Sequence, residues 1–364
     1  MNEQQNEFDL KQINTDYEKC PNCGGKMFFD PDSQMLKCEY CGFFKRVEKN
    51  KNVVENDIEL GFERAEKWDK TEQASYTCEN CGATVIVSSS EQAIICPYCG
   101  TSHVVKSGSF EGLRPGAVIP FAVSASQAAA QMKKWAKKRI FAPRSFKKDL
   151  SVEKFHGVYE PCFTFDSQTN SSYNGRVGDR HTRTVGSGKN RRTETYVVYR
   201  NVSGRYDKFF DDVTIAASDN LDQKTLDKLS PYKAADACVY ESKYLSGYVA
   251  DGYKKDIKQC WGNAKDVMTA VIRSDIKDSL HCDVVDYLNV STRYDAVTYK
   301  YMLVPVYITN FLFRKKKYRV WMNGSTAKIT GKTPVSPWRV LLATALGVVL
   351  AVLLVWLFYI IGGE

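Results

Sequence analysis

Eight of the twelve cysteines fall into four Cys-x2-Cys pairs, and that arrangement restricts the first hundred residues more than any other feature of the chain. Fourteen residues separate the pair Cys20 and Cys23 from the pair Cys38 and Cys41. Fifty-eight residues later, Cys78 and Cys81 stand the same fourteen residues from Cys96 and Cys99. One unit is therefore written twice. Two cysteines three positions apart reach a single ion only where the chain turns tightly between them, and a glycine directly after the second relieves backbone driven to positive φ. Gly24, Gly42, Gly82 and Gly100 all hold that position. Residues 26–29 with 35–37, and 84–87 with 93–95, read as short hairpins that bring the knuckles together. The pattern predicts two zinc ribbons, one Zn2+ bound by Cys20, Cys23, Cys38 and Cys41 and a second by Cys78, Cys81, Cys96 and Cys99.

Each site uses all four thiolates, so no position is left for water or substrate and the metal role is structural. Iron in a rubredoxin-like site is the nearest rival, because Cys-Pro-x-Cys-Gly also suits iron. Dithiol exchange does not explain four pairs at matched spacing. Residues 1–17 are polar, without periodicity or an apolar stretch, and read as a disordered tail rather than an export signal. Reduced, metal-bound cysteines accord with a cytoplasmic location.

The other strong constraint is the run VLLATALGVVLAVLLVWLFYII at 340–361, twenty-two residues without a charge or a proline. At about 1.5 Å per residue it reaches roughly 33 Å, enough to cross a hydrocarbon layer of about 30 Å. Trp338 lies at one end, and Trp356 and Tyr359 near the other, as interfacial belts require. Arg314, Lys315, Lys316, Lys317, Arg319, Lys328, Lys332 and Arg339 precede it, and the positive-inside tendency assigns that side to the cytoplasm. The expectation is a single-pass, tail-anchored protein of the cell membrane with a short extracytoplasmic tail at 362–364. Ala343, Gly347 and Ala351 form a small-xxx-small face, which leaves self-association through this helix open.

Charge is divided unevenly. Residues 1–108 carry 18 acidic against 12 basic side chains, whereas the rest carries 24 against 39. Phosphate binding needs positive charge, so acidic ribbons point to protein partners and away from nucleic acid. In the remainder, Ser124 and Gln127 form a capping box for a helix to Lys138. Its outer face bears Lys133, Lys134, Lys137, Lys138 and Arg139, with Arg144, Lys147 and Lys148 beyond. This is first of all a solvated face, and its functional reading is contact with anionic lipid. Strands are predicted at 158–166, 173–185 and 193–202, a helix at 254–278 with Ile257, Trp261, Ala264, Val267, Met268, Val271 and Ile272 inward, and then a meander at 282–290, 299–313, 318–322 and 326–330. Asn323-Gly324 signals a type I′ turn. The loop from Gly186 to Asn190 is no P-loop, because Arg183 and Asn190 stand where glycine and Ser/Thr are required. His103, His156, His181, His281, Cys162, Cys238, Cys260 and Cys282 are scattered without partners, so no enzymatic site is expected and no small-molecule substrate is implied.

The fold expected is multidomain: a tail at 1–17, ribbons at 18–48 and 75–108 joined by a linker at 49–74, an α+β domain with mainly antiparallel strands at 109–337, and a transmembrane helix at 338–361. The ribbons, with Ile119-Pro120-Phe121, Gly157 to Pro161, Tyr244 to Tyr248, Leu303 to Tyr307 and Tyr318 through Asn323-Gly324, resemble the YdjG-type bacterial membrane proteins, also described as TFIIB-type zinc-ribbon or primosomal-helicase-like. No Walker A or acidic ATPase motif supports the helicase description. The chain departs from the family pattern at Cys162-Phe163, where an aromatic pair is expected, and at Ala327, where glycine is. The resemblance implies partnership with phage-shock-protein-A-like and flotillin-like (SPFH) proteins in a membrane-stress assembly. The function expected is a non-enzymatic, membrane-anchored scaffold that recruits such partners. The alternative is a membrane-tethered nucleic-acid binder using the ribbons or the arginines from Arg176 to Arg205.

Overall fold

The computed structural model describes residues 18–64, 73–88, 95–99, 101–102, 104–109, 112–148, 155–187, 191–313 and 316–361. The expectations for the tail at 1–17, for Ala93, Ile94, Gly100, His103, Lys189 and Asn190, for Arg314 and Lys315, and for residues 362–364 fall outside these.

In the first ribbon β1 (Met27–Asp30) pairs antiparallel with β2 (Met35–Cys38), which pairs with β3 (Phe44–Arg46). Strand alternation turns Met27, Phe29 and Leu36 inward, and all three are buried. A hairpin of this size has too little apolar surface to close a core alone. It shares one with Phe121, Tyr159, Tyr244 and Tyr307. The Phe29 ring meets Tyr244 with centroids 5.4 Å apart, and the Gln34 amide donates to the Phe121 carbonyl at 2.7 Å.

The stretch expected to link the ribbons lies on the body in its described part. Within it, β4 (Asn56–Asp57) pairs with Thr298 and Tyr299, and α1 (Ile58–Arg64) follows with Ile58 buried. The second ribbon is joined more closely still. Its strands β5 (Gln73–Cys78), β6 (Thr84–Ser88) and β7 (Val104–Ser109) form one end of a twelve-stranded sheet.

The rest of the chain builds that sheet and covers it. In order come β8 (Ala117–Val118), α2 (Ala125–Lys137), α3 (Arg144–Lys148), β9 (His156–Val185), β10 (Arg192–Ala216), α4 (Gln223–Leu229), β11 (Cys238–Val239), β12 (Val249–Asp251), α5 (Ile257–Ser279), β13 (Val284–Phe313), β14 (Lys316–Asn323), β15 (Ile329–Gly331) and α6 (Pro337–Ile361). The main path runs β11-β8-β13-β9-β12-β6-β5-β7, with β10 on β9 and β14 and β15 beyond β13. Only β12 with β9 and β13 with β8 are parallel among the described pairs. The sheet is thus mixed and mainly antiparallel.

Two differences from the expected strands share a cause. Segments expected to be separate merge into the 30-residue β9 and β13, whose pairing extends from His156 to Gly178 with bulges between Val285 and Tyr287 and between Asp295 and Thr298. Polar residues such as Ser167 to Ser172 read locally as breaks, but cross-strand partners on both sides keep them extended, and the bulges absorb the mismatch. On either side of the Gly186 loop β9 and β10 pair antiparallel, with Val185 opposite Arg192.

The capping box at Ser124 and Gln127 is present on α2, and Asp256 with Gln259 forms another on α5. The buried stripe of α5 is Ile257, Cys260, Ala264, Met268, Ile272 and Ile276. Val267, expected inward, is 38% exposed, because the stripe follows the sheet surface and not apolarity alone. Asn323-Gly324 does not make a type I′ turn. Instead the Asn323 carboxamide oxygen accepts from the backbone N–H groups of Ser325 and Thr326, and Ala327 takes the left-handed φ of 59°.

Candidate metal centres

The four knuckles are built by backbone hydrogen bonds that turn the chain around each first cysteine. In the first ribbon the Gly24 N–H donates to the Cys20 carbonyl at 2.8 Å and the Cys20 N–H to the Gly25 carbonyl at 2.7 Å. Gly42 with Cys38, and Gly82 with Cys78, repeat the first bond at 2.9 and 2.8 Å. Gly24, Gly42 and Gly82 have φ of 70°, 72° and 72°, the left-handed backbone that glycine adopts without strain.

These turns converge eight sulfurs into two sets of four, each within 4.8 Å of one another, which are the eight cysteines expected. Cys20 and Cys41 sulfurs are 3.5 Å apart, Cys23 and Cys38 3.5 Å, Cys78 and Cys99 3.6 Å, and Cys81 and Cys96 3.7 Å. All eight are free thiols. Tetrahedral Zn2+ with bonds of about 2.3 Å requires sulfurs roughly 3.8 Å apart, so both sets fit a four-coordinate ion. The arrangement shows two four-cysteine groups suited to a metal; the donor geometry accommodates zinc and iron alike.

The thiols are electrostatically opposed. The Phe43 N–H, aided by the Asn22 side chain, lowers Cys41 to about 6, whereas Cys23, although it accepts the Gly25 N–H, is raised to about 12 by the Cys38 and Cys41 sulfurs. In the second set burial pushes Cys96 far up. Burial opposes ionisation of Cys99 too, but the Thr101 N–H and Asn80 bring it to about 7. Four sulfurs this close do not all ionise unless a cation offsets them, and a divalent ion does so.

Behind the second centre lies a group that sequence reasoning did not find. Tyr98, between Cys96 and Cys99, is fully buried and donates its hydroxyl to Glu160 at 3.0 Å. Glu160 is itself fully buried beside Asp251, which accepts a short hydrogen bond from Ser218 and another from Asn220 at 3.0 Å. Burial raises both carboxyls, Asp251 to about 6 and Glu160 well above the carboxylate range. The only signal was the position of Glu160 in the strand motif Gly157 to Pro161, which gave no hint of a tyrosine from a ribbon.

Among the described residues, the remaining chemistry-bearing ones form no comparable group. Cys162, Cys238 and Cys260 are buried, the last two donating their thiols to the Asp236 and Lys255 carbonyls. His156 is half-buried and its basicity is lowered by burial, and the His181 ring lies 5.7 Å from the Tyr196 ring. Asp166, Asp211 and Asp212 cluster, but the Lys300 ammonium sits among them, 2.6 Å from Asp212 and 3.0 Å from Glu55. Arg176, Arg183, Arg192 and Arg200 pair with Asp286, Glu194, Glu194 and Asp179 on the three-stranded arm of β9, β10 and β13.

The helix α6 leaves the body with none of its apolar window buried, and over Pro337–Ile360 it is long and apolar enough to cross a membrane. A Cβ added at Gly347 meets nothing within 4 Å.

No family model matches the chain, and no solved structure matches it. A protein of Bacillus subtilis (strain 168) described as "Uncharacterized protein YdjG" is 29% identical over 328 residues, covering 88% of this chain and 91% of the relative. Along most of the length of both, the chain is thus similar to YdjG, which supports the resemblance carried by its cysteine pairs and strand motifs.

Proposed function

We propose that the protein is a non-enzymatic, membrane-anchored zinc-ribbon adaptor whose body lies on the cytoplasmic side and holds partner proteins there. Phage-shock-protein-A-like and flotillin-like (SPFH) proteins of a membrane-stress assembly are the partners in view. One observation carries this reading: the outer edge of the first ribbon exposes Tyr40 at 79%, Phe43 at 39% and Phe44 at 42% on a knuckle fixed by four thiols. Aromatic side chains held rigidly in solvent are what protein interfaces use as anchors. Complete thiolate sets support a structural metal, with no coordination position for a reacting group.

The nucleic-acid alternative is less well supported, because Arg176, Arg183, Arg192 and Arg200 of the arm are paired with carboxylates of the same arm. The test is recovery of a flotillin-like or phage-shock-like partner from detergent-solubilised membranes. It is expected with the wild type and lost with Tyr40→Ala plus Phe44→Ala, while both metals are retained. Undiminished recovery with that variant removes the ribbon edge as the docking element.

A further inference from the structure

The root of α6 is not a free tether. The Ser336 N–H donates to the Phe141 carbonyl at 2.8 Å, and the Arg339 guanidinium donates through one nitrogen to the carbonyls of Ile140 at 2.9 Å and Ala142 at 2.8 Å. Residues 139–142 are the step between α2 and α3, so this clamp fixes the membrane helix directly to the end of the basic helix. α2 is in turn held to the core by Ala128, Ala129, Met132 and Ala136, all buried.

Around the clamp four apolar side chains face solvent: Ile140 at 66%, Phe141 at 38%, Val335 at 56% and Trp338 at 67%. Lys133, Lys134, Lys137, Lys138, Arg139 and Arg144, on α2, on the step after it and at the start of α3, are all exposed, as is Lys332, four residues before Ser336 of the clamp. The charge is one-sided over a long distance. Residues 125–148 contain no acidic side chain, and none occurs between Asp295 and Glu364. The clamp brings these two acid-free stretches together where the chain meets the bilayer. Exposed apolar residues flanked in the chain by lysine and arginine, and hydrogen-bonded to the root of an apolar helix, match the chemistry of an anionic interface: side chains enter the acyl boundary while the cations meet phosphate.

We propose that Ile140, Phe141 and the basic face of α2 form a lipid-docking platform selective for anionic phospholipid, with Arg339 setting its angle to α6. The proposal rests on the reading of α6 as a membrane span. The platform holds the body flat on the membrane and makes its orientation respond to headgroup charge.

The test uses the full chain with Phe141→Trp, reconstituted in bilayers of phosphatidylcholine alone or mixed with phosphatidylglycerol, each carrying brominated acyl chains. Quenching at residue 141, taken as the difference from wild type, is expected in the anionic bilayer and is reversed by salt. Replacing Lys134, Lys137 and Lys138 by Gln lowers the ratio of docked to undocked molecules about a hundredfold, about fivefold per charge. Arg339→Gln weakens quenching without altering metal content. Absence of quenching at 141 while native Trp356 remains quenched overturns the platform alone, as does equal, salt-independent quenching in both bilayers. Shielding of residue 141 only when a protein partner is added overturns it in favour of a protein interface. Loss of quenching at Trp356 as well, with release of the chain by alkaline wash, overturns the membrane span itself.

Discussion

Ala327 adopts φ of 59° at the turn after β14, a conformation that costs an L side chain roughly 1 kcal/mol. Ala327→Gly is therefore expected to stabilise the body by no more than roughly 0.5 kcal/mol, because the larger unfolded-state entropy of glycine offsets most of the relieved strain, read from denaturant unfolding of the metal-loaded protein. Glu160 offers a test of opposite character. Its carboxyl is raised by burial first and by Asp251 second, so its contribution to stability is fully present below the unfolded value of about 4.3 and is lost as pH rises through the raised folded value. Glu160→Gln is expected to remove that decline and to exceed wild-type stability at pH 8 by roughly 1–3 kcal/mol, measured by unfolding at matched pH with metal held saturating. The Glu160 effect was not legible locally, since it depends on which groups the fold brings alongside.

At the scale of elements, the metal site and the packing of each ribbon are probed by different side chains. Cys20→Ser is expected to lower bound metal from two ions to one, counted by elemental analysis under reducing conditions, while the second centre persists. Phe29→Ala retains the four thiols of the first centre but removes the ring seated against Tyr244, and is expected to destabilise docking by roughly 3–5 kcal/mol, seen as earlier hydrogen exchange in β1 and β2. The two four-cysteine groups were fully legible, because Cys-x2-Cys-Gly forces one local turn and sulfur has few other uses at that spacing. The capping residues of α2 were legible for the same reason: Ser124 and Gln127 act within one turn. The inward face of α5 and the length of β9 were not, because they are chosen by the surface opposite.

Over the whole molecule, the adaptor reading depends on the body being able to stand without its anchor. Removal of residues 337–364 is expected to yield a protein that stays in the supernatant with two metal ions, whereas the full chain sediments with membranes after an alkaline wash. The second ribbon continues the central sheet through β6 and β12, and the first shares a core with Phe121 and Tyr159, so loss of either metal is felt in the body and not only in the knuckle. The amino-acid sequence alone determined the two four-cysteine groups, the long apolar helix and the antiparallel character of the body, since each follows from spacing or composition within a few dozen residues. Tertiary structure alone decided that the ribbons dock, that Tyr98 reaches Glu160 over 62 residues, and that Arg339 seizes a turn 197 residues earlier. Those contacts join groups far apart in the chain, and no local pattern encodes which surfaces meet once each element has hidden its own apolar face.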